Sequence, residues 1–200
     1  MSTSSPPTPL APKRRRGHLR VAAILEAAEQ VFAEKGFEAA TMTEIAARSK
    51  TAIGSLYRFF PNKEVLAQAF LSDYVEKVLE SLNHIVSRAA NRTSPMSPRQ
   101  LAEALVAYRI ELKQHRRVAG VLVDAGGDIN GMRNDLGAFL RTKLSEILCA
   151  ALPHLEEARA AEMARVIQHL LKLVSEISPD EKAVAADVTD LLEVYFTKSE

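Results

Sequence analysis

The chain has 200 residues, of which 47% are hydrophobic and 26% are charged, a balance typical of a globular protein with a real core. A single cysteine, Cys149, excludes an intramolecular disulfide. The sequence offers neither the apolar core of a signal peptide nor a stretch that could span a membrane, so we expect a cytoplasmic protein with no membrane contact.

The formal net charge of +1 is unevenly distributed along the chain. Residues 1–63 hold 10 Lys and Arg against 5 Asp and Glu, whereas the remainder is acidic. A basic front on an acidic body predicts a negatively charged partner such as nucleic acid. A basic tail that only aids solubility is the alternative explanation.

The first segment, residues 1–17, is rich in Ser, Thr and Pro and ends in a run of basic residues. Because it contains four prolines and nothing to bury, we expect a disordered arm. An arm of this kind can lie along DNA phosphates or in a minor groove. A nuclear-import signal and a plain solvated tail remain open as alternatives.

Helical spacing of apolar residues begins after this arm. A first helix, with a stripe from Val21 to Phe32, is predicted to stop at Lys35-Gly36. Thr41 and Glu44 form a capping-box pattern that predicts the start of a short second helix. A third helix is predicted over residues 52–59, ahead of a proline.

A long fourth helix is predicted to begin after Asn62, a good N-cap residue. The sequence predicts a break at residues 91–95 and a loop at 126–131. Four further helices are expected from their apolar stripes, at 101–112, 136–151, 163–177 and 184–196. No run of alternating residues and no internal repeat appears, so the predicted fold class is all-α.

Two short helices joined by a tight turn are typical of a helix-turn-helix DNA reader, whose second helix lies in the major groove. Gly54 allows the first turn of that helix to approach DNA closely, and Ser55 can bond a phosphate or a base edge. Tyr57 and Arg58 carry long donors toward the sugar-phosphate backbone. Lys63 lies at the N-terminus of the next helix, where a phosphate is favoured.

The run ILEAAEQVFAEKGFEAATMTEIAARSKTAIGSLYRFFPNKEVL, residues 24–66, resembles the DNA-binding domain of the TetR family of bacterial repressors. The resemblance implies a helix-turn-helix motif from Thr41 to Phe60 within a domain at residues 18–78, followed by a larger helical effector-binding and dimerisation domain at 79–200. The family's usual DNA-facing positions correspond to Thr41, Thr43, Ala52, Ile53, Gly54, Ser55, Tyr57 and Lys63.

The sequence departs from the family pattern in the turn. Lys50 replaces the usual glycine, so we expect a lysine in a backbone conformation that glycine adopts more easily. Thr51 replaces a branched apolar residue and Ala52 replaces a serine cap, so Thr51 is predicted to take over the capping role. Ile53 is apolar where polar readers are common, which favours contact with a thymine methyl group.

The resemblance further implies a double-stranded DNA operator as partner, a small-molecule effector, and repression by a homodimer. The last two predicted helices carry apolar residues on more than one stripe, which favours dimerisation through these helices. No effector-binding residue is assigned, although five polar residues lie within apolar helices: His84, Tyr108, Glu111, His115 and His169.

Two other function classes are alternatives to a DNA-binding regulator. One is a helical adaptor with degenerate DNA binding, which the unusual turn favours. The other is a helical metal-dependent enzyme. Glu111 and His115 lie one helical turn apart, but two ligands without a third make no metal site. Because the sequence shows no catalytic or cofactor-binding motif, we expect a non-enzyme without a cofactor.

Overall fold

The computed structural model describes residues 15–91, 93–94, 96–125, 130–176 and 182–198. Throughout these ranges the secondary structure is helical, with no strand, which confirms the all-α prediction. The helices are α1 Arg15–Ala39, α2 Met42–Arg48, α3 Ile53–Phe59, α4 Lys63–Ala89, α5 Pro98–Glu111, α6 Lys113–Ala125, α7 Asn130–Ala151, α8 Glu157–Glu176 and α9 Lys182–Thr197. Within the described ranges, none of these helices has the length and hydropathy needed to cross a bilayer.

Two predictions about the body need correction. Helix α6 was not predicted, because its first half is polar. The loop predicted at 126–131 is wrong at its end, since α7 already begins at Asn130. Residues 126–129 of that loop, and Ile177 at the predicted end of α8, lie outside the described residues.

Contacts divide the chain into two compact units. The N-terminal unit comprises the described residues up to Glu76 together with those from Gln114 to Ala125. In it α2 packs against both α1 and α3. The side chains that form its centre are almost fully inaccessible to solvent: Ile24, Val31, Phe32, Ile45, Leu56, Phe60, Leu66 and Phe70.

The starts of α2 and α4 follow from their caps. Thr41 Oγ1 accepts a hydrogen bond from Glu44 N at 3.2 Å, which satisfies one of the free N–H groups at the start of α2. The Glu44 carboxylate contacts Lys35 at 2.9 Å and Arg48 at 3.5 Å, so only half of the predicted capping box is seen. Asn62 Oδ1 accepts from Val65 N at 2.8 Å and caps α4 as predicted.

The predicted stop near the end of the first helix coincides with a break in helical backbone geometry. Gly36 has φ 78° and ψ 174°, in the left-handed half of the map that glycine tolerates best. The helix range continues to Ala39 beyond this kink. The backbone therefore changes direction just before the segment that leads into α2.

The C-terminal unit comprises the described residues from Lys77 to Lys113 and from Asn130 onward. Helix α7 packs along α8, and α5 packs against α8 and α9. Its core includes Leu82, Leu101, Leu105, Ile147, Ile167, Leu192 and Phe196, all nearly or fully buried. On the surface of this unit, Arg99 of α5 forms ion pairs with Asp190 and Glu193 of α9, the latter at 3.0 Å. Hydrogen bonds to these carboxylates raise the pKa of the Arg99 guanidinium.

Candidate nucleic-acid interface

Helix α3 separates its buried and exposed residues by face. Leu56, Phe59 and Phe60 turn inward and are at most 5% exposed, which anchors the helix in the N-terminal unit. The other face carries most of the predicted contact residues: Ala52, Ile53, Gly54, Tyr57 and Arg58 are exposed, and Ser55 is half-buried. Ile53 and Tyr57 remain 41% and 47% accessible, an unusual exposure for large apolar and aromatic side chains on one short helix.

Gly54 has no internal reason to be glycine. A Cβ atom added there would meet no heavy atom of the chain within 4 Å, and the residue does not have a positive φ. Glycine inside a helix is less favourable than alanine by about 1 kcal/mol. The packing of the chain itself therefore does not account for the glycine at this position.

Helix α2 presents its own predicted contact residues at its start. Thr41 and Thr43 are both exposed, while Met42 and Ile45 between and after them are buried. Thr41 holds the first turn of α2 through its hydroxyl oxygen, as described above. The two threonines thus lie at a fixed helix end, open to solvent.

The turn between α2 and α3 has the strained backbone that the sequence predicts. Lys50 adopts φ 51°, the left-handed conformation in which glycine is favoured. The predicted capping role of Thr51 is wrong: Thr51 is buried, and its hydroxyl donates to the Ser49 carbonyl at 3.3 Å. Ala52 is the N-cap residue, without a side-chain bond, so α3 begins at Ile53, one residue later than predicted.

Arg58 and Lys63 differ in how exposed their charged groups are to solvent. Arg58 is exposed and lies 5.3 Å from the centre of the Phe59 ring, a cation–π distance that leaves its donors accessible. Lys63 is half-buried, and its ammonium donates to the carbonyl oxygens of Phe37, Glu38 and Ala40 at 2.7, 3.0 and 3.1 Å. A lysine has three donors. The phosphate contact of Lys63 therefore stays a prediction. In the structure its ammonium group holds the segment between Gly36 and α2.

Arg48 and Lys35 are engaged by acids of the same unit. Arg48 lies 2.6 Å from Glu34 and 3.5 Å from Glu44, and Lys35 lies 2.9 Å from Glu44. The hydrogen bond from Arg48 lowers the pKa of Glu34, and the same bond raises the pKa of Arg48. Both cations therefore face carboxylates of their own unit.

The polar residues singled out in the body do not converge on one site. His84, Glu111 and His169 are exposed, and Tyr108 is buried. His115 Nδ1 lies 3.4 Å from Glu29 Oε1, and its ring stacks on Phe70. In the part of the chain that the structure describes, no group of three or more His, Cys, Asp or Glu side chains is placed to hold a metal ion.

A short capped helix, a tight turn and a second helix with a solvent-facing outer surface define a helix-turn-helix protein. Comparison with known proteins agrees. Residues 24–70 match the model of the bacterial regulatory proteins of the tetR family. The chain is 31% identical over 134 residues to YdeS, an uncharacterised HTH-type transcriptional regulator of Bacillus subtilis, covering 57% of this chain and 68% of YdeS. This chain belongs to the TetR family of transcriptional regulators, which are not enzymes.

Other relatives match over shorter parts. KstR2, an HTH-type transcriptional repressor of Mycolicibacterium smegmatis, is 29% identical over 59% of this chain and 52% of its own length. The chain thus spans about half the length of that relative. Among solved structures, a TetR-like transcriptional regulator from Rhodococcus sp. RHA1 superposes with a TM-score of 0.60 at 23% identity, over 94% of this chain and 97% of its own. That likeness concerns the fold.

Proposed function

We propose that this regulator is a cytoplasmic homodimer that represses transcription by binding a palindromic operator and leaves it when a small-molecule effector binds. In this proposal residues 18–78 bind DNA, and residues 79–200 hold the effector and the dimer contact. The basic arm predicted at 1–17 overlaps α1, which begins at Arg15, and residues 1–14 lie outside the described residues. The name of KstR2 as a repressor supports repression.

The observation that carries the proposal is the exposed face of α3. Its inner side chains are buried, while Ile53, Tyr57 and Arg58 project into solvent around Gly54. A helix that fits a major groove needs this division, together with at least one position where backbone can approach the duplex closely.

Each exposed side chain has a role suited to its chemistry. Tyr57 and Arg58 donate to phosphate oxygens and fix the register of the protein on DNA. Ser55 bonds a phosphate or a base edge, and Ile53 contacts a thymine methyl group. Thr41 and Thr43 contact the backbone from the start of α2. Ala52 lies at the entry to α3, where only its backbone and methyl group can take part.

The dimer is supported by apolar side chains that the C-terminal unit leaves exposed. Val166 and Leu173 lie two turns apart on α8 and are 44% and 50% exposed. On α9, Val184, Leu191 and Val194 are 37%, 57% and 52% exposed. Both helices already bury a separate stripe in the unit, so these residues form second stripes. Exposed apolar patches of this kind mark interaction surfaces, and a second copy would cover them.

Release from DNA by an effector requires that a structural change in the C-terminal unit reach α2 and α3. Helix α4 begins at Lys63, close behind α3, and its residues from Lys77 onward belong to the C-terminal unit. We propose that movement of this helix changes the separation of the two α3 helices in the dimer.

Selection from a random pool of double-stranded DNA tests the proposal. We expect the full-length protein to enrich a palindrome whose half-sites lie about one helical turn apart. Tyr57→Ala is expected to weaken binding to the enriched sequence at least tenfold, whereas Ile110→Ala, a matched change at another exposed position (51% accessible), leaves it unchanged. Failure to enrich any sequence would contradict the proposal and favour the adaptor alternative.

A further inference from the structure

The C-terminal unit contains a small cavity that combines apolar walls with a buried cation. Leu82 from α4 and Leu140 and Leu144 from α7 form its apolar side. Tyr108 and Arg109 from α5 and Gln168 from α8 bring polar groups to it. The free volume is about 20 Å³, room for about one water molecule.

Arg109 is an unusual residue for such a place. It is only 7% exposed, and its Nε donates to the Leu171 carbonyl oxygen at 3.0 Å. The guanidinium has four further N–H donors on its two terminal nitrogens, and among the described residues none of these donates a hydrogen bond. No acidic residue is found among the described residues that line the cavity. Burial of a cation is costly when no anion compensates for it.

Gln168 completes the polar side and ties it to α7. Its Nε2 donates to the Gly137 carbonyl oxygen at 3.3 Å, and its Oε1 accepts from Arg141 at 3.4 Å. Both hydrogen bonds are long. The connection between α7 and α8 at this point is therefore one that a better partner can displace.

We propose that this cavity is the binding site for a monoanionic ligand, a carboxylate carried on a small apolar body. The carboxylate binds the two terminal nitrogens of Arg109 side by side, an arrangement that the planar guanidinium favours. The apolar body displaces Leu140 and Leu144. A single buried cation matches one negative charge, whereas a phosphate dianion would bring an uncompensated second charge.

The small volume of the cavity means that ligand binding must move the helices around it. Since the free volume holds about one water, a carboxylic acid of even six carbons must push α7 away from α5 and α8 as it enters. This inference rests on the proposed function, because the ligand described here is the effector that the proposed function requires. Binding and DNA release can nevertheless be measured separately.

The test uses the full-length protein, thermal unfolding and titration calorimetry with matched probes. Hexanoate and benzoate are compared with hexanamide and benzamide, which keep the shape and remove the charge, and with hexylammonium and benzylammonium, which reverse it. We expect a saturable rise in Tm with at least one carboxylate, and none with the amides or ammonium ions. Equal binding of a carboxylate and its amide, or no response to either carboxylate, would overturn the inference.

Arg109→Met removes the charge and keeps the length of the side chain. We expect the affinity for the carboxylate to fall at least tenfold, about the loss of one charged hydrogen-bonded pair. Arg159→Met is the control, because Arg159 is an exposed α8 residue paired with Glu162 at 3.0 Å. Equal affinity in the wild type and Arg109→Met would overturn the assignment of Arg109.

Gln168→Glu provides a second test that does not depend on the folding of Arg109→Met. It places a carboxylate in the wall of the cavity that Arg109 also lines, so we expect no response to the carboxylate probes. Because Gln168 already contacts Arg141, the Tm of this variant is not a readout for Arg109. A retained response to the carboxylate probes would overturn the inference. DNA selection on the same preparation separates the two proposals. Carboxylate binding without an enriched DNA sequence would refute the proposed function alone. An enriched DNA sequence without carboxylate binding would refute the proposed ligand alone.

Discussion

The ammonium nitrogen of Lys63 lies 2.7 Å from the carbonyl oxygen of Phe37 and 4.5 Å from the centre of the Phe37 ring. This contact joins the first residue of α4 to the segment that follows the Gly36 kink and leads to Thr41. Loss of the ammonium leaves three carbonyl oxygens without their donor. We therefore expect Lys63→Met to lower the free energy of unfolding by about 1–3 kcal/mol in urea denaturation.

Lys50→Met is the control for this change, because Lys50 is exposed and methionine accepts the same backbone strain. Operator binding by Lys63→Ala is expected to weaken by a similar factor for all sequences. If Lys63 also contacts a phosphate, the salt dependence of log K becomes shallower by about one unit. A weaker affinity with an unchanged slope would show that Lys63 acts only by holding the segment before α2.

Gly54→Ala separates folding from DNA binding. Because the new Cβ meets no atom of the chain, alanine should stabilise α3 by up to about 1 kcal/mol. The same methyl group should hold α3 away from DNA and reduce operator affinity at least tenfold. Gly120→Ala is the matched control, a helical glycine of α6 with equally open space, and should gain stability without losing affinity. Full operator affinity in Gly54→Ala would contradict the proposed interface.

Lys50→Gly should relieve the left-handed strain in the turn. A non-glycine residue in this conformation costs about 1 kcal/mol, and part of the gain is offset by the greater freedom of glycine in the unfolded chain. We expect a net stabilisation of about 0.5 kcal/mol, measured by thermal and urea unfolding. Lys50→Ala removes the charge but keeps the strain, so a gain equal to that of Lys50→Gly would assign the effect to charge instead.

The exposed stripes of α8 and α9 predict the effect of placing charges on them. Leu173→Glu and Leu191→Glu are expected to shift the protein from dimer to monomer in analytical ultracentrifugation, because a dimer would bury the new carboxylates. Leu19→Glu is the control, since Leu19 on α1 is 65% exposed and lies outside these stripes. A mass that is the same in all three variants would show that another surface forms any dimer.

Local sequence signals predict the N-terminal helices well, because caps and breaks act within a few residues. Thr41, Asn62 and Gly36 each mark a helix end, whereas the strained turn at Lys50 was expected because the family pattern has glycine at that position. The role of Thr51 was predicted wrongly, because its hydroxyl can bond backward to Ser49 as readily as forward to α3.

Side-chain contacts between residues far apart in the sequence could not be predicted from local patterns. The carbonyl groups that receive the Lys63 ammonium lie 23 to 26 residues away, so only the folded chain shows how its donors are used. Arg109 did leave a signal that was missed. It lies one turn after Leu105 and two turns after Leu101, which places a charge on the buried stripe of α5.

The internal pairing of cations at the N-terminal unit limits what bulk electrostatics can contribute. Lys35 and Arg48 face carboxylates, and Lys63 donates to carbonyl groups, so part of the positive charge of the ten basic residues counted over 1–63 is already compensated within the unit. Under the proposed function, these paired cations would displace few of the counterions condensed on the duplex. If the proposed interface is correct, discrimination between operator and other DNA rests mainly on the fit of the exposed face of α3, and operator affinity should depend only weakly on potassium concentration.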